Sequence, residues 1–179
     1  MPNTLRFHFT PFALALIACL APSAEAKQGD VALGFDVGGT RFDEELVDDT
    51  EVRFSIRGGY MVTDRFGLEL EASRTSNGLS PSLDTLILQA FIPFDTGSRF
   101  TPFVTAGAGY AELDHGGLFS EGERHTGPVA QAGGGVLIDL GSSSRVGLRL
   151  EAGVLAEELE EDVRVHSRAT VGLQFRLGD

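Results

Sequence analysis

Arg145-Val146-Gly147-Leu148-Arg149-Leu150-Glu151-Ala152-Gly153-Val154 places an aliphatic residue or alanine at every even position and arginine, glutamate or glycine at every odd one. Successive residues of an extended strand face opposite sides, so this stretch has one apolar face and one charged face with gaps in it. The same period of two recurs from Asp30 to the C-terminus. Val31, Leu33, Phe35 and Val37 alternate with Ala32, Gly34, Asp36 and Gly38, and Val52, Phe54, Ile56 and Tyr60 oppose Glu51, Arg53, Ser55 and Arg57. Phe66, Leu68, Leu70 and Ala72 oppose Gly67, Glu69, Glu71 and Ser73. The last segment sets Val163, Val165, Ala169, Val171, Leu173, Phe175 and Leu177 against Arg164, His166, Arg168, Thr170, Gln174 and Arg176.

Three further segments are less regular. Thr85–Phe94 is apolar on both sides, with Ile87 and Phe91 sharing a face with Gln89 while Leu86, Leu88, Ala90 and Ile92 form the other. Phe103–Tyr110 and Val129–Leu140 are glycine-rich, which in a strand marks a bend or a place where bulky side chains cannot fit. No segment of comparable length carries a helical period, so the chain reads as all-β with eight strands. Met61–Arg65, Asp95–Thr101 and Gly141–Ser144 read as short turns. Asp43–Thr50, Thr75–Asp84, Glu112–Gly127 and Leu155–Asp162 read as longer, polar loops. Short turns on one rim and long loops on the other are the build of an outer-membrane barrel, whose short rim is periplasmic. Pro81 falls in a loop, Pro102 and Pro128 at strand starts and Pro93 at a strand end, where a missing N–H is tolerated.

The first 26 residues read as an export signal. Arg6 and His8 precede an apolar run from Phe9 to Leu20 that is too short to span a bilayer as a helix and ends in Ala24-Glu25-Ala26. The lone cysteine, Cys19, sits in Leu16-Ile17-Ala18-Cys19, which resembles a bacterial lipobox, so lipidation there is the rival to cleavage after Ala26. Residues 27–179 form a single domain. Without Arg6 and Glu25 that domain carries 13 cationic against 25 acidic side chains and keeps the net charge of -12. Such a charge disfavours nucleic acid as a partner.

A ring of alternating strands can turn its apolar face inward, as a soluble periplasmic barrel, or outward against lipid. Both signs of charge on the polar face (Arg53, Arg57, Glu69, Glu71, Arg149, Glu151, Arg164, His166, Arg168), interspersed with glycine, suit a narrow lumen where charges pair. Lys27 is the only lysine of the chain, whereas a solvated surface mixes lysine with arginine. Strands of roughly nine to eleven residues match a tilted membrane crossing. Phe35, Phe54, Tyr60, Phe66, Phe94, Tyr110 and Phe175 fall near strand ends or on the apolar face, as interfacial aromatic belts do. The expected fold is an eight-stranded antiparallel up-and-down transmembrane β-barrel.

Thr101-Pro102-Phe103-Val104-Thr105-Ala106-Gly107-Ala108-Gly109-Tyr110 resembles the Pro-aromatic-x-x-x-Gly-x-Gly-aromatic strand of the OmpA/OmpX-like outer-membrane barrel family. Thr170, Gly172, Phe175 and Leu177 of the last strand resemble the signal read by the barrel-assembly machinery, although Arg176–Asp179 replace the terminal aromatic common in that family. The resemblance implies insertion into the outer membrane, with its lipid and lipopolysaccharide as surroundings.

Fourteen of the 25 carboxylates fall in three presumed outer loops: Asp43, Glu44, Glu45, Asp48 and Asp49; Glu112, Asp114, Glu121 and Glu123; Glu157, Glu158, Glu160, Glu161 and Asp162. They suit a divalent cation or a cationic partner, or simply a solvated rim, and none has EF-hand spacing. A lipid A-modifying hydrolase is the alternative function. Its nucleophile and base would come from His166 with Ser167 or from His125 with Thr126 and Glu123, but adjacent strand residues face opposite sides. The expectation is therefore a structural or interaction protein with no catalytic residue, no metal site and no cofactor.

Overall fold

Each alternating segment forms a strand hydrogen-bonded to the next. A computed structural model describes residues 27–42, 50–76, 82–114, 124–141, 145–159 and 162–177. The strands are β1 Val31–Phe42, β2 Thr50–Thr63, β3 Phe66–Ser76, β4 Ser82–Pro93, β5 Phe100–Asp114, β6 Arg124–Asp139, β7 Val146–Leu159 and β8 Asp162–Arg176. All neighbours are antiparallel, and β8 pairs back onto β1 to close the barrel. The export segment and Cys19 lie outside the described residues, as do Asp43, Glu44, Glu45, Asp48, Asp49, Pro81, Glu121, Glu123, Glu160 and Glu161.

The register fixes how the strands lean. From Val31 the paired residues run through Tyr60, Leu68, Ala90, Ala106, Ala132, Val154 and Ser167, and return to β1 at Arg41, ten residues above the start. That stagger requires the strands to tilt against the barrel axis. The charged face points in: Arg53 and Glu71 are 0% exposed and Arg149 1%, while Phe54 is 61%, Ile56 57% and Leu88 54% exposed. Aliphatic side chains left open around the whole wall match a hydrocarbon solvent rather than water. Among the described residues no helix is long and apolar enough to cross a membrane, so the crossing is made by strands.

The outer connections differ from the sequence reading. Leu155–Asp162 is not a long loop: β7 runs to Leu159 and β8 begins at Asp162, with Glu157 paired in register to Arg164. Glu157, Glu158 and Asp162 of the acidic run are strand residues, and the inward Glu157 finds His166 across the hairpin. Likewise β5 extends to Asp114 and β6 starts at Arg124, which places Glu112 opposite Thr126 and Pro128 within the strand opposite Tyr110. All the strands but β3, which has 11 residues, are accordingly longer than nine to eleven, reaching 16 in β6.

Leu88→Arg puts a charge on the lipid-facing wall of β4. It is expected to cost about 2–4 kcal/mol in urea unfolding from lipid vesicles, whereas in a soluble barrel an exposed arginine there would be neutral.

Candidate functional site in the barrel lumen

The inward face of β1 carries Asp36 between Gly34 and Gly38, and the missing side chains make room for arginine from β2. A Cβ built on Gly34 would lie 2.7 Å from Arg57 Cγ. Arg57 reaches the centre of the lumen, where its Nε donates to Asp36 Oδ2 at 2.9 Å and its Nη1 to Glu151 Oε2 at 2.9 Å; Nη2 lies 3.2 Å from Glu71 Oε2. From β7, Arg149 donates to Glu69 Oε1 at 2.8 Å and to Glu151 Oε2 at 2.8 Å. From β8, Arg168 bridges Glu71 at 2.8 Å and Glu151 at 2.5 Å, and Arg53 of β2 donates to Glu71 Oε1 at 2.6 Å.

Four arginines thus meet four carboxylates, all buried. Part of the remaining polar capacity is taken up locally, while Asp36 Oδ1, Arg53 Nε and Nη1 and Arg168 Nε make no hydrogen bond among the described residues. Gln89 of β4 donates to Glu69 Oε2 at 2.9 Å and accepts from Gln131 of β6, while Ser55 donates to Asp36 at 3.3 Å. Arg149 also stacks over Phe103 of β5, 4.2 Å from the ring centroid, and over Phe91 at 5.2 Å, a cation–π arrangement. Every strand therefore contributes a side chain to one connected cluster.

Apolar layers bracket it. Met61, Phe91, Phe103 and Leu137 pack together towards the end where the chain termini lie, and Leu83, Ile87, Ala111, Val129 and Leu155 pack towards the other. His166 shares the outer layer, its Nε2 3.0 Å from Glu157 Oε1. At the opposite mouth Arg176 Nη2 lies 3.2 Å from Asp139.

Of the luminal residues picked out in the sequence, Arg53, Arg57, Glu69, Glu71, Arg149, Glu151 and Arg168 come together in the central cluster. His166 stands outside it with Glu157, and Arg164 sits half-buried at the outer end, across from Glu157 in the register. Asp36 is the member that the sequence reading left out of the network. On the luminal face Arg53, Arg57, Arg149, Arg164 and Arg168 outnumber Glu69, Glu71 and Glu151, and Asp36 shares it. The apolar layers were missed because β4 is apolar on both sides.

Thr170 and Gly172 face inward, and Phe175 and Leu177 lie outward near the termini rim. Gly172 has a steric role of its own, since a Cβ there would lie 2.2 Å from Asp36 Oδ1 and 2.3 Å from Phe35 O. The hydrolase candidates separate: His166 is buried in the lumen while Ser167 is exposed on the wall, and half-buried His125 neighbours the outward Thr126. Among the described residues no three His, Cys, Asp or Glu side chains are grouped to hold a metal ion.

Charged side chains inside and aliphatic ones outside define a transmembrane β-barrel. Residues 10–176 match the family model for the outer membrane protein beta-barrel domain, and the chain belongs to that family and to the bacterial outer membrane. A search of curated proteins finds no match. Among solved structures the chain is similar to Neisserial surface protein A, at 16% identity and a TM-score of 0.70, covering 83% of this chain and 99% of that one. The N-terminal β-barrel domain of Pseudomonas aeruginosa OprF is similar at 20% identity, TM-score 0.58, covering 84% and 100%. So is Ail of Yersinia pestis in complex with the heparin analogue sucrose octasulfate, at 16% identity, TM-score 0.58, covering 84% and 99%.

Glu151 contacts Arg57, Arg149 and Arg168, so Glu151→Gln is expected to lose about 3 kcal/mol or more in vesicle unfolding, as expected when a buried charge loses its partner. Gly172→Ala is expected to slow or block folding into pure lipid vesicles. Normal folding there, with a defect only in cells, would assign Gly172 to recognition by the insertion machinery instead.

Proposed function

We propose that this protein is a non-conducting structural and interaction protein of the outer membrane, whose plugged barrel holds an acidic outer rim in place. The carrying observation is the cluster of four arginines and four carboxylates between two apolar layers. Eight strands leave an interior that side chains fill, and here the filling is cross-linked from wall to wall. A conducting path would require breaking several buried ion pairs together.

The rim supports the interaction half of the reading. Asp43, Glu44, Glu45, Asp48, Asp49, Glu121 and Glu123 concentrate negative charge in the outer connections of a chain with net charge -12. Such a rim attracts a cationic partner or a divalent cation and repels polyanions. Ail was solved with a sulfated, strongly anionic ligand. Opposite charge on this rim argues for a different class of partner on a shared scaffold. Assembly by the barrel-assembly machinery through Thr170, Gly172, Phe175 and Leu177 belongs to the same reading, with no cofactor.

Planar-bilayer recording tests the plugged lumen. The purified barrel is expected to give no discrete conductance steps in 1 M salt, and regular steps would overturn the reading. For the rim, a polycationic peptide is expected to bind vesicles carrying the protein. Replacing Asp43, Glu44, Glu45, Asp48 and Asp49 by their amides is expected to abolish that binding, and unchanged binding would remove the rim from the account.

A further inference from the structure

On the outward wall, small residues on adjacent strands make a trough among bulky ones. Paired residues run Leu33, Gly58, Leu70 and Leu88 in one row, and Phe35, Ile56, Ala72 and Leu86 in the next. Gly58 and Ala72 are the low points. Nothing stands closer to a Cβ built on Gly58 than Leu33 Cδ2, at 4.0 Å. The upper part of the trough is a groove of about 510 Å³ lined by Phe35, Phe54, Ile56, Ala72, Arg74 and Asp84. The lower part, about 270 Å³, shares Phe35, Ile56 and Ala72 with it and continues past Leu33, Gly58 and Leu70. From the row of Leu33 to that of Val37 the trough is about 13 Å long.

Its upper end is charged. Arg74 stands on the lipid-facing side near the outer rim, 64% exposed, with Nε 2.9 Å from Asp84 Oδ1 and Nη2 3.5 Å from Ser82 Oγ. Asp84 and Ser82 hold the guanidinium through Nε and Nη2, and the side chain still stands largely exposed. Arg41 is exposed on the same outward side of β1, two strands away and four residues beyond Val37, the β1 residue level with Arg74, so roughly 16 Å from it within the sheet. Guanidinium groups at headgroup level, above a groove that takes hydrocarbon, complement an amphiphile with a phosphorylated head.

We propose that this wall, formed by β1 to β4, is a binding site for the lipid A part of lipopolysaccharide in the outer leaflet. One acyl chain lies in the trough over Gly58 and Ala72, and a sugar phosphate lies on Arg74. The site is independent of the acidic rim and of the lumen, so either of those readings can fail without touching it.

Native mass spectrometry of the detergent-solubilised barrel, mixed with bisphosphorylated lipid A, its dephosphorylated form or phosphatidylglycerol, tests the site. One bisphosphorylated lipid A is expected to stay bound in preference to the other two. Ala72→Phe, which fills the trough, is expected to weaken retention of every lipid A form roughly tenfold, and Arg74→Gln to cut the preference for the phosphorylated form by a similar factor. Heat-modifiable gel mobility reports that each variant is folded, and Gly58→Leu replaces Ala72→Phe should that variant fail to fold. Undiminished retention with the trough filled, an unchanged phosphate preference in Arg74→Gln, or equal retention of phosphatidylglycerol would each overturn the proposal.

Discussion

An arginine that points into an eight-stranded barrel has no water to retreat to, because the ring is only wide enough for side chains. Its charge must be met by carboxylates within a few ångströms, or its burial costs several kcal/mol. The lumen meets this constraint with four arginines against Asp36, Glu69, Glu71 and Glu151, each arginine within 3.0 Å of a carboxylate oxygen. The rest of the structure follows from where those eight groups sit. Gly34 and Gly172 are bare because Arg57 and Asp36 occupy the space their side chains would need.

Charge pairing also explains why the interior is layered. Low-dielectric packing above and below the cluster strengthens each ion pair and removes the water that would compete for it. Phe103 and Phe91 do both jobs on one side, closing the lumen and lying against the Arg149 guanidinium. The outer layer of Leu83, Ile87, Val129 and Leu155 closes the other side. Because the pairs join strands far apart in sequence, Arg57 with Glu151 and Arg149 with Glu69, they brace the ring across its diameter while the backbone ladder holds it around its circumference. A braced, filled ring is a rigid base for whatever the outer connections present.

Much of this was readable in the sequence, for a physical reason. Period two assigns a face to every residue of β1, β2, β3, β7 and β8, so alternation puts Arg53, Glu71 and Arg149 on one face, and the mixed charges, the glycines and the single lysine turn that face inward. Which arginine meets which carboxylate does not, because it depends on register and on stagger between strands. Alternation is also silent where both faces are apolar, as at Leu86 to Ile92, or where glycine and alanine dominate, as in β5 and β6. Both apolar layers draw their residues largely from those strands. The β7–β8 hairpin was misread because acidic residues suit a solvated loop as well as a strand whose inward carboxylate meets a histidine. Asp36 could have been found by counting charge: an inward set rich in arginine requires another carboxylate on the same face.

The central claim is that the lumen is held by balance of charge rather than by any one pair. A double-mutant cycle between Arg53 and Glu71, measured by urea unfolding in lipid vesicles, tests it directly. Arg53→Gln and Glu71→Gln each leave one uncompensated charge, while the double variant restores neutrality. The account predicts that the double variant is more stable than the sum of the two single losses by about 1–3 kcal/mol. Strictly additive losses would contradict it.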